Sequence, residues 1–389
     1  MKRILIFSLA YYPSFVSGAE AAIKEITDRI SPEDIEFHLI TLLFDKHAPC
    51  EEQIGNTHIY RVGFGGAYLS KVLFIPLAAL KARSLHKKLS FNAVWAMMTY
   101  MLLPAVLARA IGVRVPRILT LQDGDPYEKV FERAFIKPFI PVLDYGFRTT
   151  DLVQVISSYL GTWPKRRGYM GEVVHIPNGA NPRDLHEEVS EDEISKLRAS
   201  LKKKPGDIWL VNTARLVHQK GTDDTIRALT MLPKQVSFLV VGGGPDEQSL
   251  KALALELGVE DRVIFTGAVE RTQVTAYRRV ADIFVGPSRS EGLGNAFLSA
   301  MASQLPVVAT QEGGLAEFVF GPNDTHPQTA WVVGKDDSES IARAVENILA
   351  HPEKVEMVTK TAREMVLEKY DWDKIALQMK ERVFNTVLQ

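Results

Sequence analysis

The chain has 389 residues, too many for one ordinary hydrophobic core, so its length predicts two domains. With 46% hydrophobic and 24% charged residues it has the composition of a soluble globular protein and not of a disordered one. A net charge of −1 excludes bulk attraction to nucleic acid, although residues 1–175 hold 21 Lys/Arg against 16 Asp/Glu and the remainder holds 25 against 31.

The first part of the chain alternates between strands and helices. Short apolar runs predict strands over Lys2–Leu9, Ile35–Leu42, Ile59–Val62, Ala93–Ala96, Arg117–Leu121 and Leu152–Ile156. No leader pattern precedes the first strand, and the single Cys50 cannot form an internal disulfide, so we expect a cytoplasmic protein. The uncharged run Ala93–Ala108 contains Pro104, which favours a buried strand and a core helix over a membrane span.

The same alternation restarts after Lys202–Gly206. Strands are predicted over Ile208–Thr213, Ser237–Val241, Arg262–Thr266, Ile283–Val285, Pro306–Thr310 and Thr329–Val333. The α/β pattern therefore predicts two Rossmann-like, doubly wound parallel-sheet domains that face a central cleft. The segment Ile176–Asp184 has the Pro/Asn/Gly composition of the linker between them.

One run in the second half, Pro287–Ala302, reads as a strand end, a loop with one acid, and an apolar helix. Its amides at the helix start would lack intrahelical partners and, with the helix dipole, favour a phosphate. We assign these amides to Leu293, Gly294 and Asn295. Gly292 allows close approach of the backbone, and Glu291 can accept hydrogen bonds from sugar hydroxyls. The run predicts a site for a sugar joined to a diphosphate, with an acidic helix cap as the alternative.

A basic loop follows the first strand of the second domain. Arg215 and Lys220 lie five residues apart in this loop, beyond the carboxyl end of the strand. Two such cations can clamp a diphosphate and stabilise the charge that builds on a leaving nucleotide. The alternative is a solvated basic loop.

Three further loops follow strands. Ser17 and Gly18 lead into the first helix and form a second anion-binding corner. Gln122 and Asp123 follow a first-domain strand, where they either face the reacting sugar or cap a turn. The glycines after Val241 lack the dinucleotide spacing and read as a tight turn near the nucleotide.

No metal site is predicted, because the nine histidines show no ligand-like spacing. Asp123 and Asp125 have the D-x-D spacing, but they lie in the half that does not hold the donor phosphates. Arg215 and Lys220 would supply the positive charge instead, so we expect metal-independent chemistry without a cofactor.

Taken together, these motifs resemble the retaining GT-B glycosyltransferases of glycosyltransferase family four, over nearly the whole chain. The matching segments are Ser17–Glu20, Val155–Leu160, Ile176–Gly179, Arg215 with Lys220, Glu291–Asn295, Ala300–Ala302, Pro306–Thr310 and Tyr370–Trp372. The resemblance implies the GT-B fold, with an acceptor-binding domain over residues 1–180 and a donor-binding domain over residues 181–372. It also implies that a C-terminal helix, about residues 373–389, packs back on the first domain.

The resemblance implies a reaction as well: a UDP- or GDP-sugar as donor, a hydroxyl of a glycan or lipid-linked acceptor, and retained anomeric configuration. Glu291 would hold the donor sugar, Gln122 would lie beside it, and Ser17 and Asp123 would lie on the acceptor side. The diphosphate would contact Arg215, Lys220, Gly18, Gly292, Leu293, Gly294 and Asn295. Ser299 and Val269 would lie at the ribose and the base.

Two positions depart from the family pattern. Ser299 stands where a second glutamate usually binds the ribose, and Gln122 stands where a histidine usually lies near the reacting sugar. Loss of the ribose contact would weaken donor binding by about 1–3 kcal/mol if nothing replaces it. A non-catalytic relative that serves as a binding or regulatory subunit, or a nucleotide-sugar epimerase of the same fold, is therefore the alternative. Retention of Glu291, Arg215 and Lys220 favours the transferase.

Two first-domain stretches, Phe64–Phe91 and Phe131–Phe147, mix apolar and basic residues. The second contains Phe131, Arg133, Phe135, Lys137 and Phe139. Such helices either pack in a core with their lysines reaching solvent or lie on an anionic membrane. We favour the core, and peripheral association with the inner face of the membrane is the alternative. No nucleic-acid partner is expected.

Overall fold

The computed structural model of the protein describes residues 1–13, 17–65, 68–181 and 189–389. The chain divides into two compact units, unit 1 with residues 1–178 and 372–389 and unit 2 with residues 179–371. The domain boundaries expected from the sequence follow residues 180 and 372. The predicted linker Ile176–Asp184 extends into residues 182–188, which lie outside the described residues.

Unit 1 contains an eight-stranded sheet. Its strands are β1 Lys2–Phe7, β2 Ile35–Leu42, β3 Glu51–Ile54, β4 Thr57–Val62, β5 Ala93–Met97, β6 Arg117–Leu121, β7 Leu152–Val155 and β8 Val173–His175. They are ordered β3-β4-β2-β1-β5-β6-β7-β8, and every neighbouring pair is parallel except β3 with β4. The direction of strand addition reverses between β1 and β5, so the ligand crevice of this sheet lies beyond their carboxyl ends.

Unit 2 contains a six-stranded, all-parallel sheet. Its strands are β9 Ile208–Thr213, β10 Val236–Val241, β11 Val263–Gly267, β12 Ile283–Gly286, β13 Val307–Ala309 and β14 Trp331–Val332. Their order is β11-β10-β9-β12-β13-β14, which reverses between β9 and β12. The predicted α/β class with two doubly wound parallel sheets is confirmed.

Helices follow most strands, as parallel crossovers require. They are α1 Gly18–Thr27, α2 Tyr68–Leu89, α3 Leu102–Ala110, α4 Tyr127–Phe131, α5 Ile140–Arg148, α6 Ser158–Arg166, α7 Glu191–Ser200, α8 Thr222–Ala228, α9 Glu247–Glu256, α10 Arg271–Val280, α11 Asn295–Ala302, α12 Ser338–Ala350, α13 Pro352–Lys369 and α14 Trp372–Met379. In the described part of the chain, no helix combines the length and the apolar character that crossing a bilayer needs.

The C-terminal segment belongs to the core of unit 1. Trp372, Met379 and Phe384 are buried in one cluster with residues of β1, β2 and β5. The Phe384 ring lies 5.1 Å from the ring of Trp95, edge to face. Burial of these aromatic rings fixes residues 372–389 to the sheet of unit 1.

The fold also shows what the sequence analysis misses. The edge strands β3 and β8 are not predicted, because β3 is polar and β8 has three residues. The core interpretation holds for Ala93–Ala108, where every residue of β5 is buried. It holds only in part for Phe131–Phe147: Phe131 and Phe147 are buried, whereas Phe135 and Phe139 are exposed. In the other stretch the side chains of Leu69 and Val72 lie outside the described set.

Candidate active site

The two loops that carry the residues predicted to bind the donor are neighbours in unit 2. They lie at its switch point, where the strand order reverses between β9 and β12. β9 and β12 pair directly, with Leu210 opposite Ile283. The loop with Arg215 and Lys220 leaves the carboxyl end of β9, and the loop with Glu291 leaves that of β12. The sheet topology therefore brings together motifs that lie about 70 residues apart, at the edge where ligands of such sheets bind.

Lys220 and Glu291 are in direct contact, which the sequence analysis does not predict. The Lys220 ammonium donates to Oε1 of Glu291 at 2.6 Å, and the Ser288 hydroxyl donates to the same oxygen at 2.9 Å. Glu291 is only 7% exposed, so the ion pair is largely desolvated. An ammonium has three donors, and the pairing leaves two N–H groups of Lys220 for a ligand.

Arg289 holds the β9 loop against the β12 loop. Its backbone amide donates to the Gln219 carbonyl at 2.7 Å, and its guanidinium donates to the His218 carbonyl, also at 2.7 Å. The guanidinium binds Asp223 through two bonds of 2.8 and 3.0 Å and binds Asp224 at 2.7 Å. Arg289 thus fixes the turn that carries Lys220, a role that the sequence alone does not reveal.

Charges in the Arg289 cluster shift one another. Burial raises the pKa of Asp223, but the hydrogen bond and charge of Arg289 outweigh it and hold that pKa below its ordinary value. Burial and the neighbouring Asp223 raise the pKa of Asp224 to about 6, against the lowering effect of Arg289. The exposed Asp336 also bonds to Arg289. The Arg289 guanidinium therefore opposes, at two adjacent carboxylates, the rise in pKa that burial causes.

Glycines let the loops approach closely. A Cβ on Gly221, whose φ is +64°, would lie 2.1 Å from the Pro287 carbonyl oxygen. A Cβ on Gly314 would lie 2.2 Å from the Gly292 carbonyl oxygen, and the Gly314 amide donates to the Glu291 carbonyl at 3.0 Å. Sequence analysis misses Gly314; its signal is the Gly-Gly pair that follows β13.

The helix start lies slightly later than predicted. α11 begins at Asn295, with Gly294 as its N-cap at φ +102°. The amides of Leu293, Gly294 and Asn295 donate no hydrogen bond to any described residue. Three unpaired donors at a helix N-terminus form an anion-binding corner beside Glu291.

The remaining donor-side residues surround these loops in unit 2. Arg215 is exposed and, within the described ranges, forms no ion pair. The turn after β10 packs on its loop, because a Cβ on Gly244 would lie 2.2 Å from the Leu216 carbonyl oxygen. Ser299 is buried, and its Oγ accepts from the Asn181 amide at 3.3 Å. Val269 is half-buried in the segment between β11 and α10.

In unit 1, Asp123 lies beyond the carboxyl end of β6. Its Oδ2 accepts from the Thr99 hydroxyl at 2.9 Å and from the Thr99 amide at 3.3 Å. Burial raises the pKa of Asp123 to about 6, although both bonds from Thr99 lower it. The preceding Met98 has φ +72° and ψ 160°, a region that a side chain rarely adopts. Backbone strain at Met98 therefore lies beside a carboxyl group whose pKa is raised to about 6, one strand away from the reversal between β1 and β5.

The other predicted site residues of unit 1 have hydrogen-bond partners within that unit. Gln122 accepts at Oε1 from the Asn178 amide group at 2.8 Å. The amide of Ser17 donates to the Glu20 carboxylate at 2.7 Å, which caps α1 at Gly18. Part of the predicted loop, residues 14–16, lies outside the described residues. Across the described ranges, no group of three or more His, Cys, Asp or Glu side chains could hold a metal ion.

Comparison with known proteins relates part of the chain to a family of enzymes. The model of the glycosyl transferases group 1 family matches residues 193–365. A GDP-mannose-dependent alpha-(1-6)-phosphatidylinositol monomannoside mannosyltransferase of Mycobacterium tuberculosis is 30% identical over 241 residues, 59% of this chain and 60% of its own length. A glycosyltransferase of Methanocaldococcus jannaschii, itself uncharacterized, is 25% identical over 96% of both chains. The chain thus spans about 60% of the length of the first curated relatives it matches.

Solved structures support the same fold. Sucrose-phosphate synthase from Thermosynechococcus elongatus superposes with a TM-score of 0.85 at 21% identity, covering 99% of both chains. Anabaena HepE, solved with UDP and glucose, superposes with a TM-score of 0.80 at 21% identity, covering 99% of this chain and 100% of its own. Residues 193–365 thus match the glycosyl transferases group 1 family, and the chain as a whole shares the two-sheet GT-B fold of these solved structures.

Proposed function

We propose that the protein transfers a sugar from a nucleotide-diphosphate sugar to a hydroxyl of a glycan or lipid-linked acceptor, with retention of anomeric configuration and without a metal ion. The observation that carries this proposal is the Lys220–Glu291 contact beside the unpaired amides of residues 293–295. A carboxylate that recognises sugar hydroxyls and donors that recognise phosphate lie within one group of loops. The match of residues 193–365 to the glycosyl transferases group 1 family supports the same class of reaction.

The donor contacts divide by charge. The exposed Arg215, the two remaining N–H groups of Lys220 and the unpaired amides bind the diphosphate. Within the described residues, side chains donate only to Oε1 of Glu291, which leaves Oε2 to accept from a donor-sugar hydroxyl. Ser299 and Val269 contact the ribose and the base in this proposal.

The reaction uses these groups without a protein nucleophile. The bond between the anomeric carbon and the β-phosphate oxygen breaks, and the acceptor oxygen bonds to that carbon from the same face. The acceptor proton passes to the departing phosphate oxygen. Because charge builds on that phosphate, Arg215 and Lys220 stabilise the transition state more than the ground state. Asp123 of unit 1 orients the acceptor through hydrogen bonds.

The relatives indicate which substrates to examine first. The Mycobacterium tuberculosis relative is GDP-mannose-dependent by name and acts on a phosphatidylinositol monomannoside. A Rhizobium leguminosarum relative, 33% identical over 198 residues, is a lipopolysaccharide core mannosyltransferase. Both names support a lipid-linked acceptor, and GDP-mannose and UDP-glucose are the first donors for this chain.

Donor binding and turnover test the proposal. We expect one nucleotide sugar of a GDP-, UDP- and ADP-linked set to raise the melting temperature, and the protein to hydrolyse or transfer it equally well in EDTA. Glu291→Gln should lower kcat by about 100-fold, since it removes a buried charged contact to the sugar. The matched control is Glu312→Gln, whose side chain is 41% exposed. An anomeric NMR signal of the product reports retention. Absence of any donor effect, or equal rates in both variants, contradicts the proposal.

A further inference from the structure

One segment of unit 1 exposes several large apolar side chains. Residues 133–148 wind as a turn and then as α5, with the Ile136 amide bonded to the Arg133 carbonyl at 2.9 Å and the Phe139 amide to the Ile136 carbonyl at 2.8 Å. Four large side chains point outward from this segment: Phe135 is 64% exposed, Phe139 44%, Val142 38% and Tyr145 47%. We call these four residues the apolar face.

The same segment also buries a complete inner side. Ile136, Leu143 and Phe147 are buried, and a Cβ on Gly146 would lie 3.3 Å from Leu102 of α3. One side of the helix is therefore buried in the core, and the other side exposes apolar residues. Several large apolar side chains exposed on one segment are typical of an interaction site.

Unpaired cations flank the apolar face. Lys137 and Arg148 are exposed and, among the described residues, form no ion pair. Asp144 is the one acidic residue in the sequence of this segment, and it is paired with Arg167. Across residues 68–170 the chain holds 15 Lys/Arg and six Asp/Glu. This stretch of the chain, which includes the apolar face, therefore carries a net positive charge.

From these observations we propose that the apolar face docks on an anionic lipid bilayer, with Phe135 and Phe139 inserted among the acyl chains and Lys137 and Arg148 at the phosphate headgroups. Aromatic and aliphatic side chains with flanking cations are the pattern of a helix that lies in the membrane interface. Tyr145 suits the headgroup boundary, because its ring is apolar and its hydroxyl is polar.

The apolar face is joined to the candidate acceptor residues by short contacts within unit 1. Arg133, at the start of the segment, donates to Asp125 at 2.9 Å, two residues beyond Asp123. Tyr100 donates to the Val130 carbonyl at 2.6 Å, next to the strained Met98–Thr99 backbone. Docking would thus bring a membrane-held acceptor close to Asp123. The inference rests on the proposed function only for this purpose, since bilayer binding itself needs no donor.

Vesicle co-sedimentation of the full chain, without any nucleotide sugar, tests the docking surface. We expect binding to vesicles of phosphatidylcholine with about 30% phosphatidylglycerol at about 0.05 M NaCl, and weak binding at about 0.5 M NaCl or to phosphatidylcholine alone. Phe135→Ser with Phe139→Ser should weaken binding by about tenfold per residue. The matched control, Leu255→Ser with Met357→Ser, removes equally exposed apolar groups of unit 2 and should bind as the wild type.

Charge reversal and oligomeric state complete the test. Lys137→Glu with Arg148→Glu should abolish binding at low salt, whereas Lys234→Glu with Lys360→Glu in unit 2 should not. Failure of the wild type to bind anionic vesicles overturns the inference, as does equal loss in target and control pairs. A dimer that becomes monomeric on Phe135→Ser with Phe139→Ser, without vesicle binding, would assign the face to a second copy instead. Nucleotide-sugar binding of the double serine variant should equal that of the wild type, which separates failure of docking from failure of the proposed function.

Discussion

Replacing Arg289 by glutamine should destabilise unit 2 through charges left behind, more than through bonds lost. The Arg289 side chain is 9% exposed, and its partner Asp224 is 8% exposed. Glutamine keeps some hydrogen bonding but removes the only cation that this structure places within ion-pair distance of both Asp223 and Asp224. The two adjacent carboxylates would then face each other in a partly buried site.

The structure sets the size of the effect. Breaking a buried ion pair by removing one partner costs about 3–5 kcal/mol. The third partner, Asp336, is 57% exposed and adds less than about 1 kcal/mol. For a unit of 193 residues, residues 179–371, a loss near 4 kcal/mol lowers the melting temperature by about 10 °C.

The pH dependence identifies the cause. Burial already raises the pKa of Asp224 to about 6, and loss of Arg289 raises the pKa of both aspartates further. The folded Arg289→Gln variant should therefore keep protons on these aspartates at pH values where the unfolded chain has released them. Its loss of unfolding free energy relative to the wild type is then largest above about pH 7 and shrinks towards about pH 5. Calorimetry at both pH values measures this deficit, and hydrogen exchange of residues 214–225 reports loosening of the Lys220 turn.

Arg262→Gln is the matched control. Arg262 donates to four backbone carbonyls of unit 2, those of Leu229, Leu232, Pro233 and Val236. Its replacement therefore leaves no carboxylate without a cation. Its deficit should not depend on pH between about 5 and about 7. Equal losses of unfolding free energy with equal pH dependence in the two variants would contradict a role for the uncompensated carboxylates. A loss below about 1 kcal/mol in Arg289→Gln would contradict it as well.

Three further changes have distinct expected results. Gly314→Ala should displace the Gly292 loop, because its Cβ would lie 2.2 Å from that carbonyl oxygen, and should weaken donor binding by about tenfold in calorimetric titration. Ser288→Ala removes one of two donors to Glu291 and should lower kcat by about tenfold while the unfolding free energy falls by about 1 kcal/mol. Asp123→Asn should remove a pH-dependent contribution to stability. The folded pKa of Asp123, about 6, lies above its ordinary value, so the folded state holds a proton between about pH 4 and pH 6. As pH rises through this window, the unfolding free energy of the wild type should fall by up to about 3 kcal/mol relative to that of Asp123→Asn. Urea titrations at several pH values measure this difference.

Each of these changes has its own contradiction. Gly124→Ala, where a Cβ meets nothing within 4 Å, should leave stability and donor binding unchanged, and an equal effect of both alanines would exclude the clash at Gly314. Unchanged turnover of Ser288→Ala would show that Lys220 alone positions the carboxylate. A constant difference between wild type and Asp123→Asn from about pH 4 to about pH 7 would show that Asp123 titrates normally.

The strands whose bounds the sequence predicts correctly are buried along most of their length. Ile35–Leu42, Arg117–Leu121 and Ile208–Thr213 are predicted with the bounds that the structure has, since a parallel strand inside a sheet needs a continuous apolar run. β3 and β8 lie at the two edges of the first sheet, where one side needs no partner and the apolar signal is weak. Pairing with a neighbour fixes them, and a local pattern does not contain that information.

The candidate site divides in the same way. Arg215, Lys220 and Glu291 are identified from short motifs that follow strands, because strand ends of one parallel sheet share an edge. The direct Lys220–Glu291 contact and the clamp by Arg289 depend on which strands are adjacent, here β9 and β12. A residue such as Arg289 resembles any basic loop residue until its partners, 65 and 66 residues away, are known.

The separation between the two donor loops has a consequence for folding. Lys220 and Glu291 are 71 residues apart, so the site closes a long loop of chain and exists only once β12 has added beside β9. A chain that ends during synthesis before β12 contains Arg215 and Lys220 but no carboxylate or helix amides for the sugar and phosphate. Under the proposed function, nucleotide-sugar affinity would therefore report completed folding of unit 2, and the ligand would in turn stabilise only the fully folded unit.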